Sequence, residues 1–397
     1  MTHTPYALRP HQQDVADAMI VHDKGQVIVP TGGGKTLCMI HDVIENCKYI
    51  DNGMTTVVVA PRILLAEQLC KEFLELLSPG HNAHVMHVHS GDVEFFHTTN
   101  PEKIHLFNNT ARTAGENVII FTTYHSLHRI QEADIQVDNI YFDEAHNSVS
   151  RQFFPATEFF SYEAGRVFFF TATPKHSATI SKPGMNDGYV YGQVIANVPA
   201  PKLVEGGYIL PPKVVVKNLP THEFQLTDSQ NLIESIEENS VDKILVAARS
   251  TKQIIRLMSH SDFQIQLIQR GYSCMYITSK TGAVIDGKKV SREQFFKTLN
   301  AWGVDPEKKF VVLHHSILSE GINVKGLEAV IFMRNMDYIS LSQSIGRVIR
   351  LGDKSKAFGL CVVPVYDRVG ISTSRKLQAV VDTVFEQGEP AVSVVKR

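Results

Sequence analysis

Gln26-Val27-Ile28-Val29-Pro30-Thr31-Gly32-Gly33-Gly34-Lys35-Thr36 decides the fold. An apolar strand runs into three consecutive glycines, a lysine and a threonine. It then enters a segment whose apolar positions Leu37, Ile40, Val43 and Ile44 recur at helical spacing. Glycines can turn the backbone through positive φ and aim N–H groups inward, and a helix N-terminus adds partial positive charge. Thr31, Gly32, Gly33 and Gly34 therefore read as a cradle for phosphate oxygens. Lys35 is placed to reach the β- and γ-phosphates of a nucleotide and Thr36 to ligate Mg²⁺. The strict phosphate-loop pattern has a glycine where this chain has Val29, so the match is to the seven-residue core.

Two further motifs supply the remaining parts of a phosphoryl-transfer site. Asn139-Ile140-Tyr141-Phe142 reads as a strand that delivers Asp143-Glu144-Ala145-His146 to the carboxyl edge of a parallel sheet, where open α/β sheets bind ligands. Asp143 is placed to hold Mg²⁺ and Glu144 to orient and deprotonate the attacking water. His146 would couple this site to a second domain. Two hundred residues later come Gln343-Ser344-Ile345-Gly346-Arg347-Val348-Ile349-Arg350. The three-residue spacing of Arg347 and Arg350 predicts one helix face, from which both guanidinium groups would stabilise transition-state charge.

In this order the motifs resemble those of superfamily 2 helicases, in particular the DNA-acting group that includes the type III restriction motor subunit, RecG and phage UvsW, here with a DEAH box. Leu8-Arg9-Pro10-His11-Gln12 resembles the opening of that group, which would give Arg9 and Gln12 to the nucleotide, Gln12 on adenine. Val57 to Arg62 with Leu65, Glu67 and Gln68 resembles motif Ia. By the same resemblance Arg62, Ser90, Gly91 and Thr123 would meet the nucleic-acid backbone, and Thr171-Ala172-Thr173 would link the acidic box to the bound strand. Ile244 to Ser250 resembles motif IV, with Arg249 and Ser250 as nucleic-acid contacts, and Arg292, Phe295 and Phe296 resemble the helix before the motif V strand. Ser319-Glu320-Gly321-Ile322-Asn323 resembles motif V, with Gly321 toward the nucleotide and Glu320 in coupling. The family usually has an aspartate at the position of Asn323.

The resemblance implies an α/β fold of two tandem RecA-like domains, each a mostly parallel sheet flanked by helices, with the ATP site in the cleft between them. It implies ATP and Mg²⁺ as cofactors and DNA as partner through sequence-independent backbone contacts. The expected activity is that of an ATP-dependent DNA helicase or duplex translocase. RNA is the alternative partner, and an ATP-switched nucleic-acid clamp that unwinds nothing is the alternative function.

Composition bounds the rest. The 397 residues are 43% hydrophobic and 20% charged, enough for two cores. A formal net charge of −2 means that any nucleic-acid binding must come from local basic clusters. No apolar run approaches the roughly 18 residues of a membrane span, and the N-terminus lacks the basic and apolar regions of a signal peptide. An intracellular monomer, cytoplasmic or nucleoid-associated, is the expectation. Five cysteines without Cys-x-x-Cys pairing and 18 scattered histidines give no zinc or disulfide pattern. Alternation of apolar runs with helical segments in both halves predicts an ATP-binding domain over 1–197, an irregular crossing over 198–212, and a C-terminal domain over 213–397.

Overall fold

The structure, a computed structural model, describes residues 6–47, 53–77, 79–179, 181–219, 228–278, 280–315, 326–351, 356–366 and 371–395. The chain divides into two compact units. One comprises Met1–Pro30, Gly34–Val198 and Val392–Arg397, the other Thr31–Gly33 and Pro199–Ala391.

The first unit runs α1 (Pro10–Val21), β1 (Lys24–Ile28), α2 (Lys35–Cys47), β2 (Thr55–Ala60), α3 (Ile63–Leu76), β3 (Ala83–Val88), β4 (Phe96–His97), α4 (Pro101–Thr113) and β5 (Asn117–Thr123). It continues with α5 (Leu127–Glu132), β6 (Asn139–Phe142), α6 (Phe154–Glu163), β7 (Arg166–Thr171), β8 (Lys175–Ser177), α7 (Gly188–Tyr191) and β9 (Val194–Asn197). Eight strands form one sheet in the order β4-β3-β5-β2-β6-β7-β1-β9. All its pairings are parallel. Such a sheet is covered on both faces, and β2, β5 and β6 are accordingly buried at every position. On one face Val57, Ile120, Phe142 and Phe169 share a core with Leu127, Phe160 and Tyr191.

A buried ionic cluster fixes the helix that follows the glycine loop. The Arg166 guanidinium, at the start of β7, donates to both oxygens of Asp42 on α2, at 2.8 and 3.1 Å. Tyr141 on β6 donates to the same carboxylate at 2.5 Å. A third Arg166 bond, of 2.7 Å to the Met19 carbonyl, ties in α1. Two helices and two strands thus meet at one carboxylate. Removing one partner of a buried pair leaves the other charge unpaired, so Arg166→Ala should cost about 3–5 kcal/mol, read as a fall in the unfolding midpoint in denaturant.

The second unit runs α8 (Ala200–Glu205), β10 (Pro212–Leu219), α9 (Asp228–Asn239), β11 (Lys243–Ala247), α10 (Thr251–Ser259), α11 (Phe263–Gln269), β12 (Ser273–Thr278), β13 (Gly282–Ile285) and β14 (Lys288–Val290). It continues with α12 (Arg292–Val304), β15 (Phe310–His314), β16 (Ala329–Phe332), α13 (Tyr338–Val348), β17 (Gly359–Tyr366) and α14 (Ile371–Val381); β18 (Ser393–Val395) returns to pair with β8 of the first unit. Its sheet order is β10-β17-β16-β11-β15-β12-β13-β14. The first six strands are parallel. The last two add an antiparallel hairpin. Asp286 and Gly287 both have positive φ, 45° and 79°, the two-residue turn that matches the twist of paired strands.

Two details depart from the sequence expectation. The crossing expected to be irregular over 198–212 contains α8, started by Pro199 at its cap and Pro201 in its first turn, positions where proline's fixed φ favours a helix. Arg347 and Arg350 do not share a helix face, because α13 ends at Val348. The Leu210 N–H takes the Ile349 carbonyl at 2.7 Å, and Arg350 forms an isolated antiparallel bridge with Ile209, so the chain turns extended there.

Among the described residues no helix is long and apolar enough to cross a membrane. The five cysteines are free thiols. His87 and His89 lie on one face of β3 and its continuation, joined Nδ1 to Nε2 at 3.0 Å, and His87 stacks on Phe95 and Phe121. Burial first, and neighbouring histidines second, lower each from its ordinary 6.5 to about 4. Between those values the unfolded chain binds protons that the folded one refuses, so stability is lost as pH falls from 6.5 toward 4. Melting temperatures across that range should fall less steeply in His87→Gln/His89→Gln than in the wild type.

Candidate nucleotide and nucleic-acid site

Apart from Arg9 and Gln12, at the start of α1, the motif residues of the first unit lie at the carboxyl ends of its parallel strands. The glycine loop follows β1, Arg62 follows β2 as the cap of α3, and Ser90 and Gly91 follow β3. Thr123 ends β5, Asp143 and Glu144 follow β6, and Thr171 ends β7. The strand order sorts them. Ser90, Thr123 and Arg62 stand over β3, β5 and β2; the acidic box, Thr171 and the loop stand over β6, β7 and β1.

The loop backbone takes the shape its glycines allow. Gly32 and Gly34 have φ of 90° and 85°. A Cβ at Gly34 would lie 2.3 Å from Gln12 Nε2. Gln12 accepts from the Arg9 N–H at 2.9 Å and donates to the Gly34 carbonyl at 3.4 Å, so it fastens α1 to the loop's last glycine. Among the described residues the buried Thr31 hydroxyl has no hydrogen-bond partner.

Lys35 Nζ stands 3.6 Å from Glu144 Oε1, and His146 Nδ1 stands 3.6 Å from Glu144 Oε2. The same His146 nitrogen is 3.0 Å from the Thr171 hydroxyl and 3.4 Å from that of Thr173, and the Thr173 N–H donates to Thr171 Oγ1 at 3.0 Å. These contacts form one buried polar chain from the loop lysine to the end of β7. Glu144 is held left-handed, φ 47° and ψ 53°, which lets Ala145–Asn147 turn immediately into a short 3-10 helix. The Asp143 carbonyl accepts from Tyr124 at 2.8 Å. The Asp143 carboxyl is pushed up to about 7, chiefly by burial and next by the Glu144 charge, with Lys35 opposing. A divalent cation would offset both causes. Thr36, which opens α2 beside Lys35, is the available hydroxyl ligand.

In the second unit Gln343 and Arg347 are buried on α13. Among the described residues the Gln343 Nε2 has no hydrogen-bond partner. Arg249 is exposed after β11, with its N–H on Gln253 Oε1 at 2.6 Å, and Ser250 caps α10 by accepting from the Gln253 N–H at 3.2 Å. Gly321, Glu320 and Asn323 lie outside the described residues.

Sequence reasoning missed His314. It ends β15 fully buried, with neither ring nitrogen hydrogen-bonded among the described residues. Burial, then Arg347, Arg334 and His315, hold it well below the usual histidine range, hence neutral. A histidine at the end of an apolar run gave no signal, because its charged neighbours come from other elements.

Residues 5–176 match the family described as type III restriction enzyme, res subunit, and residues 227–352 match the helicase conserved C-terminal domain. By domain content the chain is a superfamily 2 helicase of the restriction-enzyme kind. The helicase is similar over 99% of its length, at 18% identity and TM-score 0.75, to the structure of the ATP-dependent Type ISP restriction-modification enzyme LlaBIII bound to DNA, covering 31% of that chain. A nuclease-deletion mutant of the Type ISP enzyme LlaGI, in complex with a DNA substrate mimic, is similar over 98% at 21% identity and TM-score 0.69, with 30% of that chain covered. A putative HsdR subunit of a type I restriction enzyme from Vibrio vulnificus YJ016 is similar over 99% at 15% identity and TM-score 0.62, with 70% covered. The helicase therefore spans under a third of the first two chains. At these identities the likeness speaks to the fold, two tandem RecA-like domains. No curated protein matches the sequence.

Gly34→Ala would force a side chain into positive φ and against Gln12. Nucleotide affinity should fall at least about 10-fold, a loss of roughly 1.4 kcal/mol or more, in a fluorescent-nucleotide titration of a variant whose melting curve still shows a folded protein.

Proposed function

We propose that this helicase is an ATP-driven DNA motor, a translocase or helicase of the DEAH-box type that moves along or remodels DNA without reading its sequence. The observation that carries the reading is the polar chain Lys35–Glu144–His146–Thr171, in which the candidate catalytic base contacts the phosphate-loop lysine and His146, and His146 in turn reaches the hydroxyl that ends β7. The DNA-bound state of two similar structures supports DNA over RNA.

The residues fit the nucleotide on their own chemistry. The glycine loop has the positive φ that turns amides inward, and Thr31 and Gln343 each carry a buried polar atom awaiting a partner. The amides of Gly32–Gly34 and Lys35 would hold the phosphates, and Thr36 and Asp143 would hold Mg²⁺. Bound ATP with its metal supplies the phosphoryl group whose transfer to water drives the cycle. Glu144 orients that water and takes its proton. Arg347 and Arg350 stabilise the charge that develops, so turnover requires groups carried by both halves of the chain.

His146 accepts the state of the acidic box and passes it to Thr171 and Thr173. Arg62, Ser90, Gly91 and Thr123 on the first unit and Arg249 and Ser250 on the second would touch the DNA backbone. Because the DNA candidates stand over β3, β5 and β2 and the nucleotide candidates over β6, β7 and β1, the two ligands share one sheet edge without competing for it.

ATP hydrolysis should be slow alone and rise strongly with single-stranded, duplex or branched DNA, and less with RNA. Equal rates with and without every nucleic acid would sink the motor. Glu144→Gln should keep ATP binding and abolish turnover, whereas Lys35→Ala should lose binding itself. Arg347→Ala and Arg350→Ala should each lower kcat by roughly 10³-fold with nucleotide affinity little changed.

A further inference from the structure

The antiparallel hairpin β13–β14 has no part in the nucleotide site, yet it concentrates charge. Residues 280–297 hold Lys280, Lys288, Lys289, Arg292 and Lys297 against Asp286 and Glu293, a local charge of +3 in a chain of net −2. All five basic residues are exposed. Three basic side chains elsewhere in this unit are in ion pairs: Lys217 with Glu234 and Glu238, Arg270 with Glu237, Lys309 with Asp242. None of the five makes an ion pair among the described residues. The Asp286 carboxylate is occupied instead by the Cys274 N–H, at 2.7 Å.

Strand register places this charge. Ala247 on β11 lies opposite His314 on β15, and His314 lies opposite Ile277 on β12. Thr278 then pairs with Gly282, and Ala283 with Val290. The residues that follow these ends, Arg249, His315, Lys280 and Arg292, all leave the same edge of the sheet. Four strand spacings separate β11 from β14, about 19 Å at 4.8 Å each, which is the rise of roughly five to six nucleotides of one DNA strand at 3.4 Å each. From Arg292 the charge continues onto the edge strand β14, where the adjacent Lys289 and Lys288 are both exposed and present charge on its two faces.

Lysines on an edge strand also discourage edge-to-edge pairing with another sheet. That accounts for Lys288 and Lys289. It does not account for Lys280 before the hairpin or Arg292 after it.

We propose that Lys280, Lys288, Lys289 and Arg292 form a phosphate-gripping track that extends the DNA footprint of the second unit outward from Arg249. The occupant is the phosphodiester backbone of the strand on which the motor runs, so this inference rests on the DNA reading above. The two-residue turn at Asp286–Gly287 makes the hairpin stiff, so the track is in place before DNA arrives.

The test is fluorescence anisotropy of a labelled single-stranded DNA with the full chain across a range of salt. Each phosphate contact to a single strand contributes about 0.7 to the slope of log K against log salt. Lys280→Ala/Lys288→Ala/Lys289→Ala/Arg292→Ala should therefore lose about 2 to 3 from the wild-type slope, and the milder Lys288→Ala/Lys289→Ala about 1 to 1.5. Lys280→Arg/Lys288→Arg/Lys289→Arg keeps the charge and should keep the wild-type slope. A wild-type protein that binds with strong salt dependence, beside alanine variants of unchanged slope, overturns the track alone. A wild-type protein without salt-dependent binding overturns the DNA motor and the track with it.

Discussion

One carboxylate organises the catalytic half of this helicase. Asp42 sits two turns into the helix that begins at Lys35, and it is held by Arg166 at the foot of β7 and Tyr141 on the strand that ends at Asp143. A helix following a flexible glycine loop would otherwise be free to slide or rotate on the sheet. With Asp42 bonded from two neighbouring strands, the first turn of α2 is fixed relative to the acidic box. The 3.6 Å approach of Lys35 to Glu144 depends on that registration.

The parallel sheet then does the sorting. A parallel strand delivers its following loop to one edge, and the order in which strands are laid side by side decides which loops become neighbours. Chain order alone would intermix the motifs proposed to bind phosphate with those proposed to contact the DNA strand. Sheet order separates them, with β6 and β2 as the seam. Thr171, at the end of β7, lies between the acidic box and the loop in space although it follows both in sequence, which is why His146 can reach it.

How much of this was legible in the sequence depended on the kind of signal. The strand–glycine–helix unit and the strand before Asp143 were legible because buried parallel strands read as short apolar runs with abrupt ends. Helical spacing of Arg347 and Arg350 misled, because periodicity cannot show that Leu210 will capture the Ile349 carbonyl and end the helix. The His87–His89 pair was not read from the sequence, where the histidines looked scattered; strand alternation puts the two on one face, but their burial depends on Phe95 and Phe121, which come from elsewhere. The hairpin carried its own announcement, Asp286-Gly287 between a short apolar run and the strand Lys288-Lys289-Val290, the signal by which β13 and β14 could have been found.

Glu144 sets the chemistry of the acidic box against the comfort of the chain. Its left-handed backbone is one that glycine adopts freely and a longer side chain tolerates at a cost of about 1 kcal/mol or more. Glu144→Gly would relieve the backbone but delete the proposed base together with its buried contacts to Lys35 and His146. On the proposed role of Glu144, the strain at this position is retained for the side chain it carries, and a thermostabilised form would have to gain its robustness elsewhere.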